Sequence, residues 1–98
     1  MSAVAKVSDI TYVELAEYLR ITELTTDDIN TLNTLLGVAK TFITGYTGRD
    51  DLNAFPDFVI VLYILCQDMW DNRTLYVDKN NLNRVVESIL GLHSVNLL

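Results

Sequence analysis

The chain has 98 residues, enough for one domain with a small core and too few for two. Half of the residues are apolar and 20% are charged, a balance found in globular chains and far from the composition of disordered ones. Thirteen acids against seven bases give a formal charge of −6, which repels phosphate backbones and disfavours tight nucleic-acid binding. The single cysteine, Cys66, excludes an internal disulfide and points to a reducing compartment or an inert buried thiol. Met1 to Val7 has one lysine and no apolar stretch of signal-peptide length. The longest apolar run, Phe58 to Cys66, is about half of the roughly 20 residues that a membrane-spanning helix needs. The chain is expected to be cytosolic when made, with residues 1–8 flexible.

The first helix is predicted over residues 11–20. Thr11 and Glu14 have capping-box spacing, and Tyr12, Leu15, Ala16 and Leu19 share one face. Ile21 to Thr26 reads as a connection. A second helix, 26–47, starts at Thr25 or Thr26 with Asp27 and Asp28 in its first turn, where the helix dipole favours carboxylates. Its apolar stripe is Ile29, Leu32, Leu36, Ala39, Ile43 and Tyr46, and Gly48 stands where a left-handed cap would end it.

A third helix is predicted over 56–73, with Pro56 in its first turn. Exposing the large apolar side chains of Phe58 to Cys66, at about 1.5–3 kcal/mol each, would rival a domain's whole stability of about 5–15 kcal/mol. This helix must therefore be surrounded by the others. Thr74 to Asn80 reads as a loop. Asn80 or Asn81 can cap a fourth helix, 81–91, carrying Leu82, Val85, Val86, Ile89 and Leu90, with Gly91 as its end. Residues 92–98 form an apolar tail containing Val95, Leu97 and Leu98. The predicted fold is an all-α bundle of about four helices in one domain.

Little in the chain suggests chemistry. The lone His93 lies in the tail and Cys66 in the most apolar helix, so a nucleophile–base pair is not indicated. One Cys and one His cannot make a zinc site, and no cofactor or metal is implied. The acid pairs Asp27–Asp28 and Asp50–Asp51 fit a helix start and a solvated loop better than a cation site. Gly45 and Gly48 lack the lysine and hydroxyl residue of a phosphate loop. Asn72-Arg73-Thr74 matches a glycosylation sequon that has no meaning without secretion. Tyr12, Tyr46, Tyr63 and Trp70 are expected to fill the core.

Val13 to Ile21 looks superficially like the first helix of excisionase-type helix-turn-helix regulators. A recognition helix beginning Thr26-Asp27-Asp28 has no basic residue before Lys40, which argues against DNA reading. Composition alone leaves a helical interaction domain of unknown partner. Three ordered segments sharpen this: Glu14 to Ile21 (E-L-A-E-Y-L-R-I), Ala39 to Arg49 (A-K-T-F-I-T-G-Y-T-G-R) and Leu62 to Arg73 (L-Y-I-L-C-Q-D-M-W-D-N-R). Together they resemble the head–tail connector (adaptor) proteins of tailed bacteriophages over roughly Ile10 to Leu90. After Thr74 the chain departs from the family's glycine-rich loop and short proline-containing end.

The resemblance implies a virion protein that forms a homo-oligomeric ring, usually of twelve, beneath the portal. Such a ring carries the next head-completion or tail protein, and the genome leaves through its channel. Asp27, Asp28, Asp50 and Asp51 are candidates for an acidic channel surface along which DNA slides without sticking. Val95, Leu97, Leu98, Arg49 and Arg73 are candidates for partner contacts. For the two arginines, pairing with a nearby helix C-terminus or carboxylate is favoured over an intersubunit contact.

Overall fold

The computed structural model describes residues 6–95. It contains four α-helices, α1 (Tyr12–Leu19), α2 (Thr26–Thr47), α3 (Phe58–Asn72) and α4 (Arg84–His93), and three short 3-10 turns at Val7–Asp9, Leu52–Ala54 and Lys79–Asn81. The predicted all-α bundle is thus the observed architecture, without a strand among the described residues.

Local chemistry explains where each helix begins. Thr11 accepts from the Val13 amide while the Glu14 carboxylate accepts from the Thr11 amide at 2.7 Å, a full capping box. Thr25 and Asp28 repeat the device at the start of α2, at 3.1 and 3.2 Å. Helix α3 starts two residues later than predicted. Pro56 and Asp57 form a tight turn before it, in which the Phe58 and Val59 amides donate back to Phe55 and Pro56. Helix α4 starts three residues later than predicted, because Asp78 engages Asn80 and Asn81 in a 3-10 turn and leaves Asn83 to accept from the Val85 amide at 2.8 Å. Gly91 does not end α4. The helix continues to His93, so Leu92 and His93 belong to it rather than to a tail.

Three helices stop at a left-handed residue. Gly48 (φ 73°) ends α2 by donating to the Thr44 carbonyl. Arg20 (φ 61°) and Arg73 (φ 54°) end α1 and α3. In both cases the following amide reaches back five positions, Ile21 to Ala16 and Thr74 to Met69, each at 3.0 Å. This is the Schellman arrangement, here built on arginine where glycine is the cheaper residue.

Helix α3 is the hub and packs against α2, α4 and α1. Phe58, Val61, Leu62, Leu65, Cys66 and Met69 are buried against Leu32, Leu35, Leu36, Ala39 and Ile43 of α2, Leu15 and Ala16 of α1, and Val86 and Leu90 of α4. Most of the apolar run of the third helix is surrounded, but Ile60 is 50% exposed and Val59 and Ile64 are half-buried, so the run is not enclosed on every side. Of the four aromatic residues expected inside, Tyr63 is buried, while Tyr12, Tyr46 and Trp70 lie half-buried against the core. Tyr63 stacks on Tyr18 with ring centroids 4.6 Å apart. Val7 is only 2% exposed within this core, and the Ser8 amide donates to Asn53 at 2.9 Å. The folded body therefore reaches back to residue 7, closer to the N-terminus than the flexible 1–8 segment that composition suggested.

Candidate functional site

The side chains that sequence reasoning singled out do not converge on one place. Asp27 and Asp28 sit in the first turn of α2, and Asp50 and Asp51 lie just past its end. A 22-residue helix is roughly 33 Å long at about 1.5 Å per residue, so the two acid pairs occupy opposite ends of the domain's longest element. Within each pair one member is committed locally. Asp28 closes the α2 capping box, and Asp51 pairs with Arg49 at 3.2 Å. Asp27 and Asp50 are exposed. Asp50 and Asp51 also border a shallow depression that contains Lys40, which offsets part of their charge.

The densest polar cluster forms around Arg49. Its Nε donates to the His93 carbonyl at the end of α4 (2.6 Å), its guanidinium meets Asp51, and its Cζ lies 4.7 Å from the centre of the Phe55 ring. The His93 ring contacts Asp57, ahead of α3, at 2.8 Å from Nε2 to Oδ2, and packs on Phe55 and Phe58 with centroids 4.2 and 5.2 Å away. The Val95 amide donates to the Thr47 carbonyl at 2.8 Å. Buried Thr47 in turn donates its hydroxyl to Ile43 and accepts from the Arg49 amide. The result is a clamp that pins the end of α4 to the junction between α2 and α3. A cation on the last carbonyls of a helix is also favoured by the helix dipole. Arg49 therefore takes the helix-terminus-and-carboxylate role favoured for it.

Arg73 is exposed, with its guanidinium 4.9 Å from the centre of the Trp70 ring. Val95 is 49% exposed and Leu92 is 76% exposed, so an apolar patch begins where the clamp ends. Leu97 and Leu98 lie outside the described residues.

Burial pushes the Cys66 thiol up to about 12, against a small opposing effect of Lys40. It stays protonated at neutral pH and is no nucleophile. No group of three or more His, Cys, Asp or Glu residues that could hold a metal occurs among the described residues. None of their helices is long and apolar enough to cross a membrane. An open polar groove of roughly 360 Å³ runs between the second half of α3 and the 74–82 connection, bordered by Asp68, Asn72, Asp78 and Asn81. Asp68 is exposed, but partial desolvation and, secondarily, the charge of Asp71 raise its carboxyl above the ordinary range.

Sequence reasoning missed the pairing of Arg49 with His93, 44 positions apart. A signal for it was present: Val86, Leu90 and His93 fall at steps of four and three on the inward face of α4. What these features define is a small all-α domain organised by helix caps and a C-terminal clamp, with exposed apolar residues beyond it. No protein-family model, curated protein or solved structure matches the chain.

Proposed function

We propose that this chain is a structural subunit of a head–tail connector in a tailed bacteriophage, assembling as a ring between the portal and the next head-completion or tail protein. The observation that carries the reading is the ordered set of three segments, Glu14–Ile21, Ala39–Arg49 and Leu62–Arg73. In the folded chain each contains the end of one helix, with a left-handed residue at Arg20, Gly48 and Arg73 respectively. Helices α1, α2 and α3 share one core, so the segments form a single structural unit rather than three isolated matches. The clamp adds a physical reason for the role: it holds the chain at Val95 beside exposed Leu92, so this apolar patch is presented to a neighbour from a fixed position.

The acidic surface is part of the same proposal. Asp27 and Asp50 are exposed at opposite ends of α2, and a ring in which α2 runs along the channel axis would repel DNA at both mouths. Lysine replacement at both positions should slow genome ejection. Unchanged ejection would remove the acidic channel from the proposal.

The direct test mixes purified chain with portal rings of the same phage and examines the complexes by electron microscopy, with a form lacking residues 96–98 alongside. That truncation keeps His93 and Val95, which hold the fold together. The expected result is added ring density on the portal's outer end, lost in the truncated form. Absence of any complex at high concentration and low salt would return the chain to a helical interaction domain. A monomer in dilute buffer is compatible with the reading, because weak neighbour contacts add up only on a template that offers many sites.

A further inference from the structure

A separate crevice opens at the far end of α3. It holds roughly 270 Å³ and is lined by Leu35 of α2, Met69 and Trp70 of α3, and Arg73, Thr74 and Leu75 of the segment that follows. Leu35 and Met69 are buried and form an apolar floor, while Leu75 is 60% exposed at the rim. The volume lies just below the ~300–1,000 Å³ of small-molecule sites and suits one large side chain with its backbone.

Arg73 supplies the charge at this site. Its guanidinium lies against Trp70 at the edge of the crevice, and it forms no ion pair among the described residues although Asp71 is two positions away. Its backbone is left-handed, a conformation that glycine adopts at lower cost. Tryptophan and arginine are also the residues most enriched at the energetic centres of protein interfaces. An apolar floor with a planar cation above it is complementary to an apolar side chain flanked by a carboxylate, which guanidinium can bind through two parallel hydrogen bonds.

We propose that this crevice docks a segment of a partner protein in which a large apolar residue sits beside an aspartate or glutamate. The inference does not rest on the connector reading, and its test uses no phage component. Trp70 is the sole tryptophan and lines the crevice, so its fluorescence reports on occupancy directly. The full chain is titrated with a capped peptide that interleaves glutamate with leucine and phenylalanine, and with the same peptide carrying lysine for glutamate.

The expected result is a saturable change in Trp70 emission with the acidic peptide alone, weakened by added salt. Backbone NMR shifts should be confined to residues near 31–35 and 69–75. Arg73→Gly, which suits the left-handed backbone, should keep the circular dichroism spectrum and raise the Kd about ten-fold or more, the loss of the paired charge-assisted hydrogen bonds. Leu75→Ser, at an exposed position, should weaken binding without loss of fold. An equal response to the lysine peptide, an unchanged Kd in Arg73→Gly, or no saturation at millimolar peptide would overturn the proposal. So would concentration-dependent burial of Trp70 without peptide, which would make a second copy the occupant.

Discussion

Replacing Arg49 with alanine tests whether the clamp holds the end of α4. Three contacts are lost: the 2.6 Å hydrogen bond to the His93 carbonyl, the Asp51 ion pair, and the stacking on Phe55. A hydrogen bond to a charged group contributes about 1.5–3 kcal/mol. The Asp51 side chain is 50% exposed, so solvent screening reduces the ion pair to about 0.5 kcal/mol or less. The cation–π contact adds about 0.5–1 kcal/mol. Releasing the arginine side chain returns about 1 kcal/mol of rotamer entropy, which leaves a net loss of about 2 kcal/mol. With a urea m-value of about 1–3 kcal/mol/M, the unfolding midpoint should fall by roughly 1 M at unchanged m. Amide exchange should accelerate first at residues 92–95, where the Val95 amide depends on the same junction. Asp51→Asn should cost far less, because it removes only the screened pair. A loss below about 0.5 kcal/mol for Arg49→Ala, well under the contribution of one charged hydrogen bond, would refute the clamp.

Other substitutions probe the caps and the buried groups. Arg20→Gly should stabilise the chain by about 0.5–1 kcal/mol through relief of the left-handed backbone, read as a rise in Tm. Arg73→Gly should gain less, because it also loses the Trp70 contact. The Thr11 hydroxyl, followed by the Thr11 backbone amide, holds the Glu14 carboxyl below its ordinary value. The stability it contributes is therefore present above its unfolded pKa and lost as pH falls through the lower folded one. Glu14→Gln should flatten that acid limb in pH-dependent unfolding. Asp68 has the opposite sign: its raised carboxyl favours the protonated form, so Asp68→Asn should raise Tm at pH 7 and have little effect in acid. Cys66, buried and held protonated, should react with thiol reagents only as fast as the chain opens, and in urea labelling should follow global unfolding.

Much of the fold is legible in the sequence because its signals are local. Thr11 with Glu14, Thr25 ahead of two aspartates, and Gly48 after the stripe of α2 each specify a boundary within a few residues of chain. The start of α4 was less readable because Asn80, Asn81 and Asn83 all suit a cap, and Asp78, through its own side chain, decides which of them is free. The left-handed arginines were hidden for a related reason: a Schellman ending normally announces itself by glycine, and Arg20 and Arg73 carry no such mark. The clamp is a tertiary contact across 44 positions, beyond the reach of periodicity, although His93 on the inward stripe of α4 hinted at burial. The acid pairs were easily found in the sequence, and their separation is the length of α2, which the predicted 26–47 helix already carries.

The connector reading is tested most directly by stoichiometry. Native mass spectrometry of portal rings incubated with the 11.1 kDa chain should show one discrete new species. Its added mass should equal a fixed whole number of chains, about a dozen, with few partially filled intermediates, as expected when each bound subunit supplies a site for the next. A continuous ladder of one, two and three bound chains that never closes, or portal mass unchanged at saturating chain, would contradict the account.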